Sequence, residues 1–220
     1  MAKTLQTGDI RPAVSARRLR QLAVSLVFAR APTDLTSGNV SLESLGIAAE
    51  GNVPYAPSPW WILHWVLPRS KVRPDDVFVE YGCGKGRIVL AAARRYRFAR
   101  VIGVELSDEL SQTARALVDR ERRRLRTRDV RIETVNAAEF AVPQDMTYAY
   151  VFNPVKGQVF GKMCANIIAS LDAAPRTVRF LYVNPEEHDT LIATGRFQLE
   201  RVVSTTRLVN RVTVAIYTVR

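Results

Sequence analysis

Cysteine and histidine are scarce in this sequence. Its 220 residues contain only two of each, and Cys83, Cys164, His64 and His188 do not lie at the spacing of metal-binding pairs. The sequence therefore predicts no metal site and no disulfide framework, and two isolated thiols are typical of a reducing, cytoplasmic compartment. Long apolar runs are also missing. No stretch approaches the roughly 18 residues that a transmembrane helix needs, so we expect no contact with a membrane.

Acidic residues are outnumbered by basic ones. The chain has 32 lysines and arginines against 21 aspartates and glutamates, a formal net charge of +11, and 27 of the basic residues are arginine. This balance indicates either an acidic partner such as nucleic acid or a composition bias spread over solvated helix faces. The arginines are not interleaved with aromatic residues on which bases would stack, which favours the second interpretation and leaves nucleic acid as the alternative.

Apolar residues are abundant enough for one buried core. They make up 47% of the chain, and 220 residues suit one α/β domain with a short extension. We divide the chain into an N-terminal helical extension, residues 1–54, which is a candidate lid, and a main domain, residues 55–220. Residues 17–31 combine a basic start, an apolar run and a small-residue end, as a secretory signal does. The run is short and Arg30 interrupts the cleavage site, so a packed helix is the preferred interpretation.

Residues 77–93 have the pattern of a strand, a glycine turn and a helix. A run of β-branched and aromatic residues comes first, Gly82, Gly84 and Gly86 follow at every second position, and an alanine-rich segment ends the stretch. Such a turn brings backbone N–H groups and a helix N-terminus to a ligand, and its glycines let the ligand lie on the backbone. The spacing matches neither a dinucleotide-binding turn nor a phosphate-binding loop. A tight turn without a ligand is the alternative.

Polar residues lie at the carboxyl ends of the strands that are predicted after the glycine turn. Glu105 ends a second strand 19 residues after Gly86, where nucleotide-binding folds place a carboxylate that accepts both ribose hydroxyl protons. Asn136 follows a third strand over 130–135, and Asn153 follows a fourth over 147–152. A fifth strand is predicted over 177–183. Helices are predicted from Ser58, with Pro59 in its first turn, and over 87–96, 107–126 and 158–171, and Ser107 is the predicted N-cap of the third.

This ordered set of signals resembles the class I S-adenosylmethionine-dependent methyltransferases. Glu80-x-Gly82-x-Gly84-x-Gly86 is similar to their first motif, and residues 101–107 are similar to their second. The resemblance covers roughly residues 55–220. It implies a Rossmann-like, three-layer α/β/α fold with a seven-stranded, mostly parallel sheet. Residues 197–203 and 212–219 would be the antiparallel pair that closes the sheet.

The resemblance also implies the cofactor S-adenosyl-L-methionine and the residues that hold it. Asn136 departs from the aspartate that is common in the family, but its amide oxygen accepts the same hydrogen bond from adenine. The methionine part would meet the glycine turn, the ribose would meet the end of the second strand, and the adenine would meet the end of the third. The predicted cofactor-binding residues are Glu80, Gly82, Cys83, Gly84, Gly86, Glu105, Leu106, Asn136, Ala137 and Asn153.

The sequence carries only part of a known motif for binding the methyl acceptor. Asn153-Pro154 is half of the Asn-Pro-Pro-Tyr/Phe motif of amino-group methyltransferases, in which the asparagine holds the acceptor nitrogen. An Asn-Pro turn without a chemical role is the alternative interpretation. We predict Asn153, Tyr55 and Tyr182 as residues of the acceptor site, and His188 is a further candidate base. A base is needed only when the acceptor must lose a proton before it attacks.

Three functions remain open at this point. The first is methyl transfer to a small molecule, with an amino nitrogen as the candidate acceptor and the extension as a lid. The second is methyl transfer to nucleic acid or protein, for which the arginines would supply the binding surface. The third is a non-catalytic module that keeps the fold and binds the cofactor. Steep salt dependence of binding would favour a nucleic acid substrate.

Overall fold

The structure is a computed structural model that describes residues 41, 43, 58, 59, 61–204 and 212–220. Tyr55 and nearly all of the predicted extension lie outside these residues, so the boundary after residue 54 and the role of Tyr55 stay predictions. The described residues form five α-helices and seven β-strands. The helices are α1 (Ile62–Val66), α2 (Arg87–Arg95), α3 (Asp108–Glu121), α4 (Gly157–Ala173) and α5 (His188–Ala193). The strands are β1 (Val77–Tyr81), β2 (Arg100–Glu105), β3 (Asp129–Thr134), β4 (Met146–Val151), β5 (Val178–Val183), β6 (Phe197–Ser204) and β7 (Thr213–Val219).

The seven strands form one sheet in the order β3-β2-β1-β4-β5-β7-β6. The strands from β1 to β5 pair in parallel, whereas β7 lies antiparallel between β5 and β6. This confirms the predicted seven-stranded, mostly parallel sheet with its antiparallel end. The chain first builds outward from β1 to β3 and then returns to place β4 on the other side of β1. Ligands of open α/β sheets bind at such a switch point, beyond the carboxyl ends of the strands.

Helices cover both faces of the sheet, and β1 shows why. All five of its residues are buried, so it reads as a continuous apolar run rather than as an alternating one. Val79 and Tyr81 belong to the same buried cluster as Phe160 of α4. On the other face, Glu80 accepts a hydrogen bond from Val89 of α2. The two faces give a three-layer α/β/α arrangement with β1 at its centre.

Two helix boundaries differ from the sequence prediction by more than two residues. The helix predicted to begin at Ser58 begins at Ile62 and has no side-chain cap, because the carbonyl of Pro59 already accepts the N–H of Ile62 in a preceding turn. The helix predicted to end at residue 126 ends at Glu121 and continues as a 3₁₀ turn, Arg122–Arg124. Its predicted N-cap is confirmed, since the Ser107 hydroxyl accepts the N–H of Leu110. No helix among the described residues has the length and apolar character to cross a bilayer.

Candidate active site

The glycine turn lies at the carboxyl end of β1 and takes a backbone shape that favours glycine. Gly82, Gly84 and Gly86 have φ angles of 72°, 53° and 77°, in the left-handed region that costs other residues energy. A Cβ atom at Gly82 would also lie 2.1 Å from Cβ of Pro154. The first glycine of the turn is therefore packed against the loop that follows β4, so the predicted cofactor turn and the predicted acceptor loop touch.

Glu105 connects the end of β2 to the same turn. Its buried carboxylate accepts the N–H of Gly84 through Oε2 at 2.8 Å and the N–H of Ser107 through Oε1 at 2.9 Å. Burial raises the pKa of this carboxyl, while the backbone hydrogen bonds from Ser107, Gly84 and Leu106 act to lower the pKa. A carboxylate has about four lone-pair sites, so beyond these three donors it can still accept a further donor such as a ribose hydroxyl. Leu106 beside it leaves 37% of its surface exposed, which is apolar area that a ligand can cover.

Cys83 and Glu80 support the turn from behind. The Cys83 side chain is buried against β2, where a Cβ atom on Gly103 would lie 2.7 Å from its sulfur, so the thiol points into the core. Glu80 Oε2 accepts the N–H of Val89, the third residue of α2, at 2.9 Å. The N-cap of that helix is Gly86, which has no side chain, so the Glu80 carboxylate caps the helix from the neighbouring strand. Burial raises the pKa of Glu80 well above its ordinary value.

The segment after β3 lies beside Glu105 through its backbone. The N–H of Val135 donates to the Glu105 carbonyl at 2.9 Å. The Asn136 amide oxygen accepts the N–H of Ala138 at 2.9 Å, which closes a tight turn, and Ala137 is buried within that turn. The oxygen keeps one lone pair for a ligand donor. Asn136 thus stands at the strand end where the sequence predicts it, with part of its hydrogen-bonding capacity used by the turn.

Asn153, at the end of β4, has an amide whose orientation is fixed by its neighbours. Its Nδ2 donates to the carbonyl of Asn184 at 2.8 Å and to Oε1 of Glu186 at 3.0 Å. Both partners only accept hydrogen bonds, so the NH₂ group must face them. The amide oxygen is buried and has no hydrogen-bond partner among the described residues, and the residue as a whole is 6% exposed. An unsatisfied buried acceptor is costly, and a ligand N–H or O–H would satisfy it.

The end of β5 holds Asn153 in place. Asn184 has a φ of 47° and its amide oxygen accepts the N–H of Thr213, while Glu186 forms a 2.6 Å ion pair with Lys156. The two loops after β4 and β5 are therefore tied together by polar contacts. Sequence reasoning did not assign Asn184 or Glu186 to the site. The available signal was a second Asn-Pro pair, at the end of the next parallel strand.

Tyr182 and His188 are both engaged by contacts within the fold. Tyr182 is fully buried and stacks on Phe160, and its hydroxyl accepts the N–H of Glu187 at 3.2 Å. Burial raises the pKa of this hydroxyl above its usual range. His188 Nδ1 lies 2.7 Å from the Tyr217 hydroxyl, with which it shares a hydrogen bond. Tyr182 thus contacts the loop that carries Glu186 and Glu187, and its role at the acceptor site stays a prediction.

The described residues contain no group of three or more histidine, cysteine or acidic side chains that is arranged to hold a metal ion. The site is made of the backbone of the glycine turn, the carboxylate of Glu105 and the side-chain amides of Asn136 and Asn153. Chemically, this arrangement can bind and orient a polar ligand, and it offers one unpaired acceptor at its far end.

Comparison with known proteins shows a family model and a curated relative that are each similar to part of the chain. Residues 78–173 match the family model described as a methyltransferase domain. A curated protein-lysine N-methyltransferase from Saccharolobus islandicus (strain REY15A) is 36% identical over 69 residues. That alignment covers 31% of this chain and 43% of the relative, so it spans less than half of the relative's length.

Solved structures share the fold at low sequence identity. An RNA methyltransferase from Salinibacter ruber, in complex with S-adenosyl-L-homocysteine, is similar with a TM-score of 0.56 and 20% identity, over 74% of this chain and 94% of that one. The magnesium protoporphyrin IX methyltransferase of Synechocystis PCC 6803 has a TM-score of 0.51 and 13% identity, over 98% and 87%. Geranyl diphosphate C-methyltransferase from Streptomyces coelicolor A3(2) has a TM-score of 0.53 and 14% identity, over 69% and 72%. These proteins are named for three different acceptors, so the shared fold leaves the acceptor undetermined.

Proposed function

We propose that this chain, whose methyltransferase domain is of the class I S-adenosylmethionine-dependent type, transfers a methyl group to an amino nitrogen. The observation that carries the choice of nitrogen is the fixed amide of Asn153, with its buried and unpartnered oxygen. We further propose a lysine side chain of a protein as the acceptor, in place of the small molecule favoured by the sequence.

The residues at the carboxyl ends of β1, β2 and β3 fit S-adenosylmethionine. The glycine turn leaves backbone where a side chain would stand, and Glu105 can still accept a ribose hydroxyl next to exposed Leu106. Asn136 keeps one lone pair for an amino group of adenine. When bound, the cofactor supplies a methyl group on a positively charged sulfur, which is already activated for transfer. The task of the protein is therefore to hold both reactants in line.

An amine suits Asn153 better than a hydroxyl does. An amine donates one N–H to the amide oxygen and still has a lone pair for attack, so the step needs no base once the amine is neutral. A hydroxyl would need a base to take its proton before or during attack, and an amide cannot act as one. The nearest carboxylate, Glu186, is already engaged by Asn153 and Lys156. The amide therefore orients a nitrogen acceptor by hydrogen bonding alone.

Two observations support lysine as the source of that nitrogen. The curated relative is named as a protein-lysine N-methyltransferase. In this chain, Glu187 lies in the loop that contacts Asn153 and has no ion pair among the described residues, so its negative charge complements an approaching lysine. A free small amine is the competing acceptor, and the same chemistry would serve it.

Calorimetry tests the cofactor assignment, and a methylation assay tests the acceptor assignment. We expect wild-type protein to bind S-adenosylhomocysteine, and Glu105→Ala to weaken binding by at least about tenfold through lost charged hydrogen bonds. Asn153→Ala should lower kcat about 100-fold with lysine-containing peptides, a larger loss than its effect on the affinity for S-adenosylhomocysteine. Failure of the wild type to bind S-adenosylhomocysteine would reject the cofactor assignment. Methylation of small amines but not of peptides, followed by mass spectrometry, would reject the lysine assignment and keep the amino acceptor.

A further inference from the structure

A dense group of arginines lies at the amino ends of the parallel strands, opposite the end that carries the glycine turn. Helix α2 starts after the glycine turn and α3 starts after the carboxyl end of β2, and both run back to the amino ends of the strands, where their last residues lie. Residues 94–97 and 119–129 contain nine arginines and only three acidic residues, which is six of the eleven excess positive charges of the chain. We name these arginines the basic edge. It consists of Arg94, Arg95, Arg97, Arg120, Arg122, Arg123, Arg124, Arg126 and Arg128.

The two arginine segments form one surface because their backbones are bonded to each other. The carbonyl of Ala93, in α2, accepts the N–H of Arg126 at 2.8 Å and the N–H of Thr127 at 3.0 Å. The Thr127 hydroxyl accepts the N–H of Phe98 and donates to the carbonyl of Tyr96, both at 3.1 Å. Segments that are distant in sequence are thus fixed side by side, so their charges add at one place.

Glu121 organises part of the basic edge. Its side chain is only 7% exposed, and it pairs with Arg94, with Arg124 at 3.3 Å and with Arg120 at 3.7 Å. A buried carboxylate that holds three guanidinium groups fixes their positions while it neutralises a single charge. Four further arginines, namely Arg97, Arg123, Arg126 and Arg128, are exposed and have no ion pair among the described residues. The basic edge therefore presents a net positive field to the solvent.

The chemistry of this surface fits the phosphates of double-stranded nucleic acid. Guanidinium groups bind phosphate oxygens in a bidentate manner and are less strongly hydrated than ammonium groups. A single-stranded partner or a membrane would call for exposed rings or apolar anchors. In the described part of the chain, the large exposed hydrophobic residues are Leu106, Ile192, Leu199 and Val202, and none lies in the basic edge. Tyr96, the aromatic residue within it, is buried.

We propose that the basic edge is a docking surface for double-stranded nucleic acid, which it holds through the phosphate backbone. The length of α3, 14 residues, separates this edge from the glycine turn by about 20 Å. Nucleic acid bound there lies away from Asn153 and Glu105, so it is an anchor and not the methyl acceptor. The inference does not depend on the proposed amino acceptor, since it uses none of the residues assigned to that site.

Fluorescence anisotropy with a short labelled DNA duplex, over a series of salt concentrations, tests this docking surface. We expect the logarithm of the binding constant to fall with the logarithm of salt concentration with a slope between about −3 and about −6. Arg123→Ala/Arg126→Ala/Arg128→Ala should make the slope shallower by about 3, because each phosphate contact contributes about one unit. Binding of S-adenosylhomocysteine by this variant should match the wild type, which also shows that the variant is folded.

A matched pair of charge reversals separates local docking from general charge attraction. Arg123→Glu and Lys162→Glu change the net charge equally at two exposed positions, but Lys162 lies on α4, on the other face of the sheet. We expect Arg123→Glu to weaken duplex binding at least about tenfold and Lys162→Glu to change it less than about twofold. Equal effects of the two substitutions, a slope near zero, or tighter binding to anionic vesicles than to the duplex would each overturn the proposal.

Discussion

Three glutamates near the site have different roles, and the role of each depends on the groups around its carboxylate. Glu80 and Glu105 both have a raised pKa because burial disfavours the charged form. Glu80 uses its oxygen to cap α2 from the neighbouring strand, while Glu105 connects the end of β2 to Gly84 and can still accept a donor from a ligand. Glu187 is more exposed, and its pKa is lowered by hydrogen bonds from Gly157 and Thr190. Residue type alone would not separate these three roles.

Glu80→Gln should remove a pH dependence of stability. The pKa of Glu80 is higher in the folded state, so above pH 4.5 the folded state binds more protons than the unfolded state. The free energy of unfolding of the wild type therefore falls as pH rises toward the folded pKa. The Gln variant keeps the acceptor for Val89 and lacks this titration, so its stability relative to the wild type should rise over the same range, by at most about 1.4 kcal/mol per pH unit. Urea unfolding from pH 4 to 8 measures this, with exposed Glu139→Gln as control. A constant difference would contradict the prediction.

Gly82→Ala should lower stability and cofactor binding together. The added Cβ would meet Pro154 at 2.1 Å and the residue would keep a φ of 72°, so we expect the free energy of unfolding to fall by about 2 kcal/mol or more. Gly161→Ala is the matched control, because Gly161 lies within α4 and a Cβ there meets nothing within 4 Å. That variant should be stabilised by up to about 1 kcal/mol. Thermal unfolding compares the two, and equal shifts in Tm would refute the strain argument.

At the scale of elements, two helix starts in the described part of the chain are capped from elsewhere in the fold. Among the described helices, α3 alone has its own N-cap side chain bonded, that of Ser107, which the sequence predicted. Helix α2 starts at a glycine and is capped by Glu80 of β1. Helix α4 starts after Lys156, without a side-chain cap of its own, and Gly157 donates to Oε1 of Glu187 in the loop after β5. The caps of α2 and α4 thus join elements that parallel pairing has already brought together.

Glu187→Ala should weaken α4 in a pH-dependent manner. The lowered pKa means that the folded state favours the charged carboxylate, so its contribution to stability is present above pH 4.5 and is lost as pH falls through the folded pKa. We expect the substitution to cost about 1 kcal/mol at pH 7, as lost N-caps do, and little at the acid end. Chemical denaturation at several pH values measures this, and Glu139→Ala serves as an exposed control. A cost that grows toward low pH would reverse the assignment.

At the scale of the whole molecule, the strands of the sheet differ in how deeply they are buried. β1 is buried along its full length and is flanked on both sides by parallel strands, whereas β3 and β6 are edge strands with largely exposed residues. The cofactor turn extends from the most buried strand, which makes a rigid base for binding. The basic edge lies at the opposite end of the same sheet, so two ligands would contact the domain without competing for space.

Amide hydrogen exchange should follow this order. We expect peptides from β1, β4 and β5 to exchange slowest, with opening free energies near that of global unfolding, and peptides from β3 and β6 to exchange faster. Mass spectrometry of exchanged protein measures this, and S-adenosylhomocysteine should add protection to the glycine turn and the end of β2. Protection of β3 equal to that of β1 would contradict a core centred on β1.

The sequence by itself determined the order of elements, the glycine turn, Glu105 and the N-cap at Ser107. These depend on local spacing and on the alternation of apolar residues, which short stretches carry. Only the tertiary structure decided that Gly84 bonds to Glu105, that Pro154 packs on Gly82, and that Glu186 and Asn184 fix the Asn153 amide. It also joined two arginine segments into one basic edge. Such contacts form between residues that are distant in the chain, and parallel strand pairing, which local sequence does not encode, brings them together.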